Sequence, residues 1–359
     1  MATTFKNLSE NDRTSFRTLL HEAIPITGTI INSGTYNNEN VKNFSHGLFQ
    51  QVYDYPYLSS SANHIFDLSV GYSNNSSLSS SANTQNSAKI NMYNQMAKVL
   101  MGIDVTGSIR EFDQDGDLTG GTKLKEVVFL NFARILNKDE IKKGSFQLEL
   151  GMSASYWAPN HETVLVKDTA ATSSWKTNSP AGDYGILTAS NNTGTPLTTD
   201  GSICGLVFYQ AGVAVVTASL FSPAVSGGLL ASTSLVEFNS GSTYISSVDE
   251  VLTGSSISGA CDNIRQRWTN HNMNNTIELN STVYFVRIGH NEFNYSANPT
   301  YLSGSKIRVK NNKQDPPVSY VTSVGLYSPD NVLMALAKLS EPLKVNNSSD
   351  ITLRIRNDF

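Results

Sequence analysis

A chain of 359 residues exceeds the usual size of one domain, so two or three packed modules with a sizeable core are expected and disorder throughout is excluded. Charged residues make up 16%, well under the roughly 25% of an ordinary soluble domain, and Ser, Thr and Asn carry the polar balance, a surface suited to permanent contact with neighbours. With 26 Lys and Arg against 30 Asp and Glu, and no basic residue between Lys176 and Arg265, the chain has no field to attract a polyanion, which argues against nucleic acid as a partner.

The opening residues MATTFKNLSENDR lack a basic segment followed by an apolar core, and no apolar run approaches the roughly 20 residues that span a bilayer. Synthesis in a host cytoplasm without a signal peptide, and no membrane partner, are expected. Ser9 can cap a helix, Asp12 completes a capping-box spacing, and Phe16, Leu19, Leu20 and Ile24 then share a helical face as far as Pro25. A Ser/Asn-rich tract from Ser73, SNNSSLSSSANTQNS, precedes INMYNQMAKVLMG, where Ile90, Tyr93, Met96 and Leu100 keep a helical period that Gly102 ends. The tract itself is either a loop that grips a neighbouring subunit or a solvated connection.

Next come a strand-like SIREF, the turn DQDGDLTGG, the run EVVFLNFARIL, a short helical turn KDEIKK capped by Asn137 and closed by Gly144, and a strand SFQLEL. Residues 1–150 are thus expected to form an α+β module. Over residues 151–280 short β runs alternate with Gly, Pro, Ser and Asn. The clearest hairpin joins GLVFYQ to VAVVTASLF at Ala211-Gly212, and a helical turn is expected from Asn263 to Trp268. Residues 281–359 predict an antiparallel β module packing on the N-terminal one. Its strands are STVYFVRIG, YVTSVGLY, VLMALAKL after a turn at Ser328 to Asn331, and ITLRIRNDF, where Ile351, Leu353 and Ile355 alternate with Thr352, Arg354 and Arg356. The expected class is α+β, predominantly β, with antiparallel sheets in sandwich-like modules and two short N-terminal helices. No fixed-period repeat is present, which argues against a solenoid or propeller.

Candidate chemistry is sparse. Asp113, Asp115 and Asp117 alternate in DQDGD as oxygen ligands do around calcium. The glycine is the fourth residue, however, and Leu124 stands where a closing carboxylate belongs; a solvated Asp-Gly turn accounts for the same residues. No G-x-S-x-G elbow occurs, and His64 and His290 are expected as hydrogen-bonded structural histidines. Asp249 and Glu250, if in a strand, face opposite sides and cannot act as paired acid and base. HETV at His161 lacks the second histidine of a zinc helix, and Cys204 and Cys261 are expected as small apolar core thiols. A catalytic role and a cofactor, calcium at DQDGD aside, are not expected.

Four blocks carry a resemblance: IFDLSVGYSNNSSLSSSANTQNSAKINMYNQMAKVLMG, GGTKLKEVVFLNFARILNKDEIKKGSFQLELG, GLVFYQAGVAVVTASLF, and NEFNYSANPTYLSG with YVTSVGLYSPDNVLMALAKLSEPLK. In these the chain resembles virion structural proteins of large contractile-tailed bacteriophages, including those of marine cyanobacteria. The resemblance implies a tail, neck or baseplate component of the virion, or else a head-decorating or receptor- or sugar-binding fibre-associated protein. Its expected partners are copies of itself, in a symmetric homo-oligomer, and other virion proteins.

Overall fold

The structure is a computed structural model, and it describes residues 5–27, 31–32, 35–36, 39–152, 163–191, 203–222, 229, 238–240, 243–245, 247–290, 292–293, 302–303, 306–307, 314 and 318–359. The chain divides into two compact units, His21–Ile277 and the pair of segments Met1–Leu20 with Glu278–Phe359. Strands from both sides of residue 150 belong to one sheet.

The described elements used below are, in order, β1 (Arg13–Thr27), β2 (Val41–Asn43), β3 (Gln50–Tyr53), β4 (His64–Tyr72), α1 (Asn86–Leu100), β5 (Phe112–Asp113), β6 (Lys123–Leu124), β7 (Glu126–Phe132), α2 (Arg134–Asn137), β8 (Glu140–Ile141) and β9 (Gln147–Gly151). They continue with β10 (Thr163–Lys167), β11 (Tyr184–Asn191), β12 (Ile203–Phe208), β13 (Val213–Thr217), α3 (Val248–Gly254), α4 (Ile257–Arg265), β14 (Trp268–Ile288), β15 (Val318–Tyr327), β16 (Leu333–Asn346) and β17 (Ile351–Asp358). The fold is predominantly β, as expected.

In the larger unit one antiparallel sheet runs β14-β9-β10-β11-β12-β13-β7-β4-β3-β2. Its middle strands are buried on both faces, which is why VAVVT and ICGLVF are near-continuous apolar runs rather than alternating ones. One face carries Phe66, Leu68, Val128, Leu130 and Val216 against α3 and α4; the other carries Val127, Phe129, Leu206 and Val215 against α1. The hairpin expected at Ala211-Gly212 is present: Phe208 pairs with Val213, and Gly212 takes the left-handed conformation at φ +68°. Gly71 admits α1 onto the sheet, since a Cβ there would stand 2.7 Å from the Lys89 carbonyl oxygen.

Helix α1 is present where the period of Tyr93 and Leu100 places it. Residues 13–27, however, form the strand β1 and not the first expected helix. The capping geometry at Ser9 and Asp12 is real but belongs to a single 3-10 turn, Glu10–Asp12. Phe16, Leu19 and Leu20 stay exposed, so no buried helical face rewards a helix, and the backbone takes its partners from a sheet instead. The tract from Ser73 folds back onto its own chain: Ser73 and Ser76 are buried, their hydroxyls donating to Glu111 and Glu126. SIREF contributes only Phe112 to a strand, the helical turn precedes KDEIKK at α2, and α4 ends at Arg265 before Trp268 opens β14.

In the smaller unit, β14 from Glu278 onward pairs with β17 in register from Ser281 with Asp358 to Ile288 with Ile351. Residues 13–20 of β1 tie to it through Ser15 Oγ and Thr282 Oγ1 at 3.0 Å, and Arg17 to Glu278 at 3.1 Å. The ribbon β15–β16 pairs with itself and with no other described strand.

Candidate functional site

The fold gathers the three predicted ligands: one oxygen from each of Asp113, Asp115 and Asp117 lies within 4.8 Å of the others, Asp113 buried and the other two exposed. The short β5–β6 pairing closes the loop between Asp113 and Lys123. That closure delivers a cation from the chain itself, because Lys123 Nζ donates to Asp113 Oδ1 at 2.7 Å. The second Asp113 oxygen accepts the Leu118 N–H at 2.7 Å, and Asp117 accepts that of Thr119 at 2.7 Å, which with a neighbouring hydroxyl contact holds the Asp117 carboxyl below its usual range. Leu124, at the position of a closing ligand, is buried among apolar residues. Calcium demands six to eight oxygens. With its buried carboxylate committed to Lys123 and an amide, the loop fits an internally neutralised Asp turn better than a calcium cage.

Other titratable groups are paired or buried. His290 Nδ1 meets Asp350 at 3.3 Å, and His64 Nε2 meets Asp67 at 2.9 Å. Asp249 and Glu250 lie in the first turn of α3 rather than in a strand, where negative charge complements the helix terminus. Cys204 and Cys261 are free and buried, and burial pushes both thiols up. His161 lies outside the described residues. His271, stacked 4.6 Å from Phe132, is held neutral because burial lowers its pKa to about 3, against a smaller opposing effect of the Gln147 backbone.

Lys89 and Asp168 are among the buried charges that sequence patterning does not single out. Lys89 on α1 donates to the carbonyls of Thr84, Leu252 and Ser255 at 2.7, 2.6 and 2.6 Å. Burial lowers its pKa to about 8, and its three acceptors join the end of the Ser/Asn tract to the α3–α4 junction. Asp168 accepts from the Gly144 and Phe146 N–H groups and the Tyr209 hydroxyl, with burial pushing the carboxyl up.

The smaller unit carries the most distinctive surface. Among its described residues the buried hydrophobic side chains are Val283, Ile288 and Val345, whereas Phe5, Phe16, Leu20, Tyr320, Tyr327, Val332, Leu333, Met334, Leu336 and Phe359 are exposed. On β15–β16, Gly325 faces Leu336 and Tyr327 faces Leu333, so these two cross-strand pairs share one exposed face near the turn. The ladder shifts register between Val321 and Ser323, and Pro342, which cannot donate to a ladder, lies within that irregularity. No family model, curated protein or solved structure matches the chain. No helix among the described residues is long and apolar enough to cross a membrane.

Proposed function

We propose that this chain is a structural component of a tailed bacteriophage particle, associated with tail, neck or baseplate, and that it works by assembly rather than turnover. The observation that carries the reading is the composition of the smaller unit: a two-stranded ribbon with an exposed apolar end, in a unit where few apolar side chains are buried among the described residues. An isolated two-stranded ribbon is marginal in water, and the ordering entropy of such a unit needs apolar burial to offset it. A neighbouring subunit supplies that burial. Copies of the same chain in a symmetric oligomer, and other virion proteins, are the partners this surface and the sequence resemblance support.

The low charge of the chain agrees with permanent contacts. Density for the chain in an intact particle, resolved by electron cryo-microscopy, tests the proposal. It predicts β15–β16 seated on a neighbouring subunit; a chain absent from the particle, or a ribbon facing solvent in the assembled state, contradicts it.

A further inference from the structure

We propose that the larger unit holds a shallow binding site for a neutral polyhydroxylated molecule of the sugar class, at the ends of β4 and β7. An open cleft of about 560 Å³ lies there, lined by Asn63, His64, Asp67, Asn131, Arg134 and Ile135 among others. Its floor follows from sheet register. Asp67 is the direct antiparallel partner of Asn131, so both side chains stand on one face, the face α1 covers further along at Gly71.

A bulge brings His64 to the same place. Tyr53 pairs with His64 and Val52 with Phe66, leaving Ile65 as the extra residue, so His64 and Asp67 behave as next-but-one neighbours despite being three apart. The bulge thereby sets the His64–Asp67 pair at 2.9 Å on the cleft side while Ile65 and Phe66 both turn into the core.

The cleft presents mixed hydrogen-bonding groups. His64 occupies Asp67 Oδ1, and among the described residues neither Asp67 Oδ2 nor the Asn131 amide has a protein partner. One is an acceptor and the other both donor and acceptor, side by side on paired strands. Adjacent hydroxyls of a sugar ring, each of which donates and accepts, match that pair. Arg134, anchored by its Nη1 to the Gln210 carbonyl at 2.8 Å, adds donors at the rim, and the exposed Ile135 offers an aliphatic surface to ring C–H groups. Asp67 and Arg134 bring opposite charges to the lining of the cleft, which disfavours an anion. The lining has no serine, threonine, cysteine or second carboxylate, so the arrangement binds and does not cleave.

Saturation-transfer NMR on the full chain with glucose, galactose and N-acetylglucosamine as probes tests this. The expected result is transfer to at least one sugar, lost in Asp67→Ala and in Asn131→Ala, with inorganic phosphate failing to compete. The exposed Asn131 keeps the test informative if Asp67→Ala misfolds. Absence of transfer to all three sugars, transfer that survives Asn131→Ala unchanged, or displacement by phosphate overturns the proposal. Assembly is read by separate measurements, so either idea can fail without the other.

Discussion

At the scale of single residues, the buried cation Lys89 makes the sharpest prediction. Replacing it with Met leaves three carbonyls, that of Leu252 buried, without their donor and should destabilise the larger unit by about 3 kcal/mol, measured as a fall in the urea midpoint. Its titration has a definite sign. The folded pKa of about 8 lies below the ordinary 10.5, so between those values the unfolded chain binds the extra proton. This group's contribution to stability therefore grows as pH rises from about 8 to 10.5, and the Lys89→Met variant should lose that rise. For the DQDGD loop, calcium or a chelator should leave Tm unchanged, whereas Asp113→Ala, which strips Lys123 and the Leu118 amide of their acceptor, should lower it. A calcium-dependent rise abolished by Asp115→Ala would contradict the Asp-turn assignment. Sequence spacing brought the three aspartates to notice because they are close in the chain. It missed Lys89, whose acceptors Leu252 and Ser255 are far away in sequence, and the His64–Asp67 pair, because an i,i+3 pair shares a strand face only when a bulge intervenes.

At the scale of elements, strands with a period of two were legible and the alternative to a surface helix was not. Ile351, Leu353 and Ile355 do share the half-buried face of β17, with Thr352, Arg354 and Arg356 exposed opposite. The residues of β1 fit a helical wheel equally well, and only the absence of a buried face decides for a strand. Helix α1 was legible because Tyr93, Ala97 and Leu100 do bury, Tyr93 donating to the Leu124 carbonyl at 2.8 Å. For β17, deletion of residues 351–359 removes the partner of residues 281–288 and bares a sheet edge together with three half-buried apolar side chains. The truncated chain should aggregate or fail to join particles. A truncation that stays soluble and melts at the wild-type temperature would show that β17 is dispensable to the fold.

At the scale of the whole molecule, the division of labour between units was only half visible in the sequence. The division at Glu278 falls inside the long strand β14, and nothing local shows that residues 1–20 cluster with the C-terminal segment, because that clustering is made by contacts between opposite ends of the chain. Low charge and Ser/Thr/Asn-rich turns suggested a chain built for contact, and the row on β15–β16 is exposed in the described residues. On the proposed function, this row docks on a neighbour in the particle. The most direct measurement is quantitative mass spectrometry of purified particles from an infection supplying both the wild-type chain and a Leu333→Ser, Met334→Ser, Leu336→Ser variant, each labelled. Those side chains are exposed, so the variant should fold and stay soluble, yet it should be depleted from particles at least tenfold relative to wild type, a loss of about 1.4 kcal/mol or more in docking. Incorporation of both chains in equal amounts would contradict the claim.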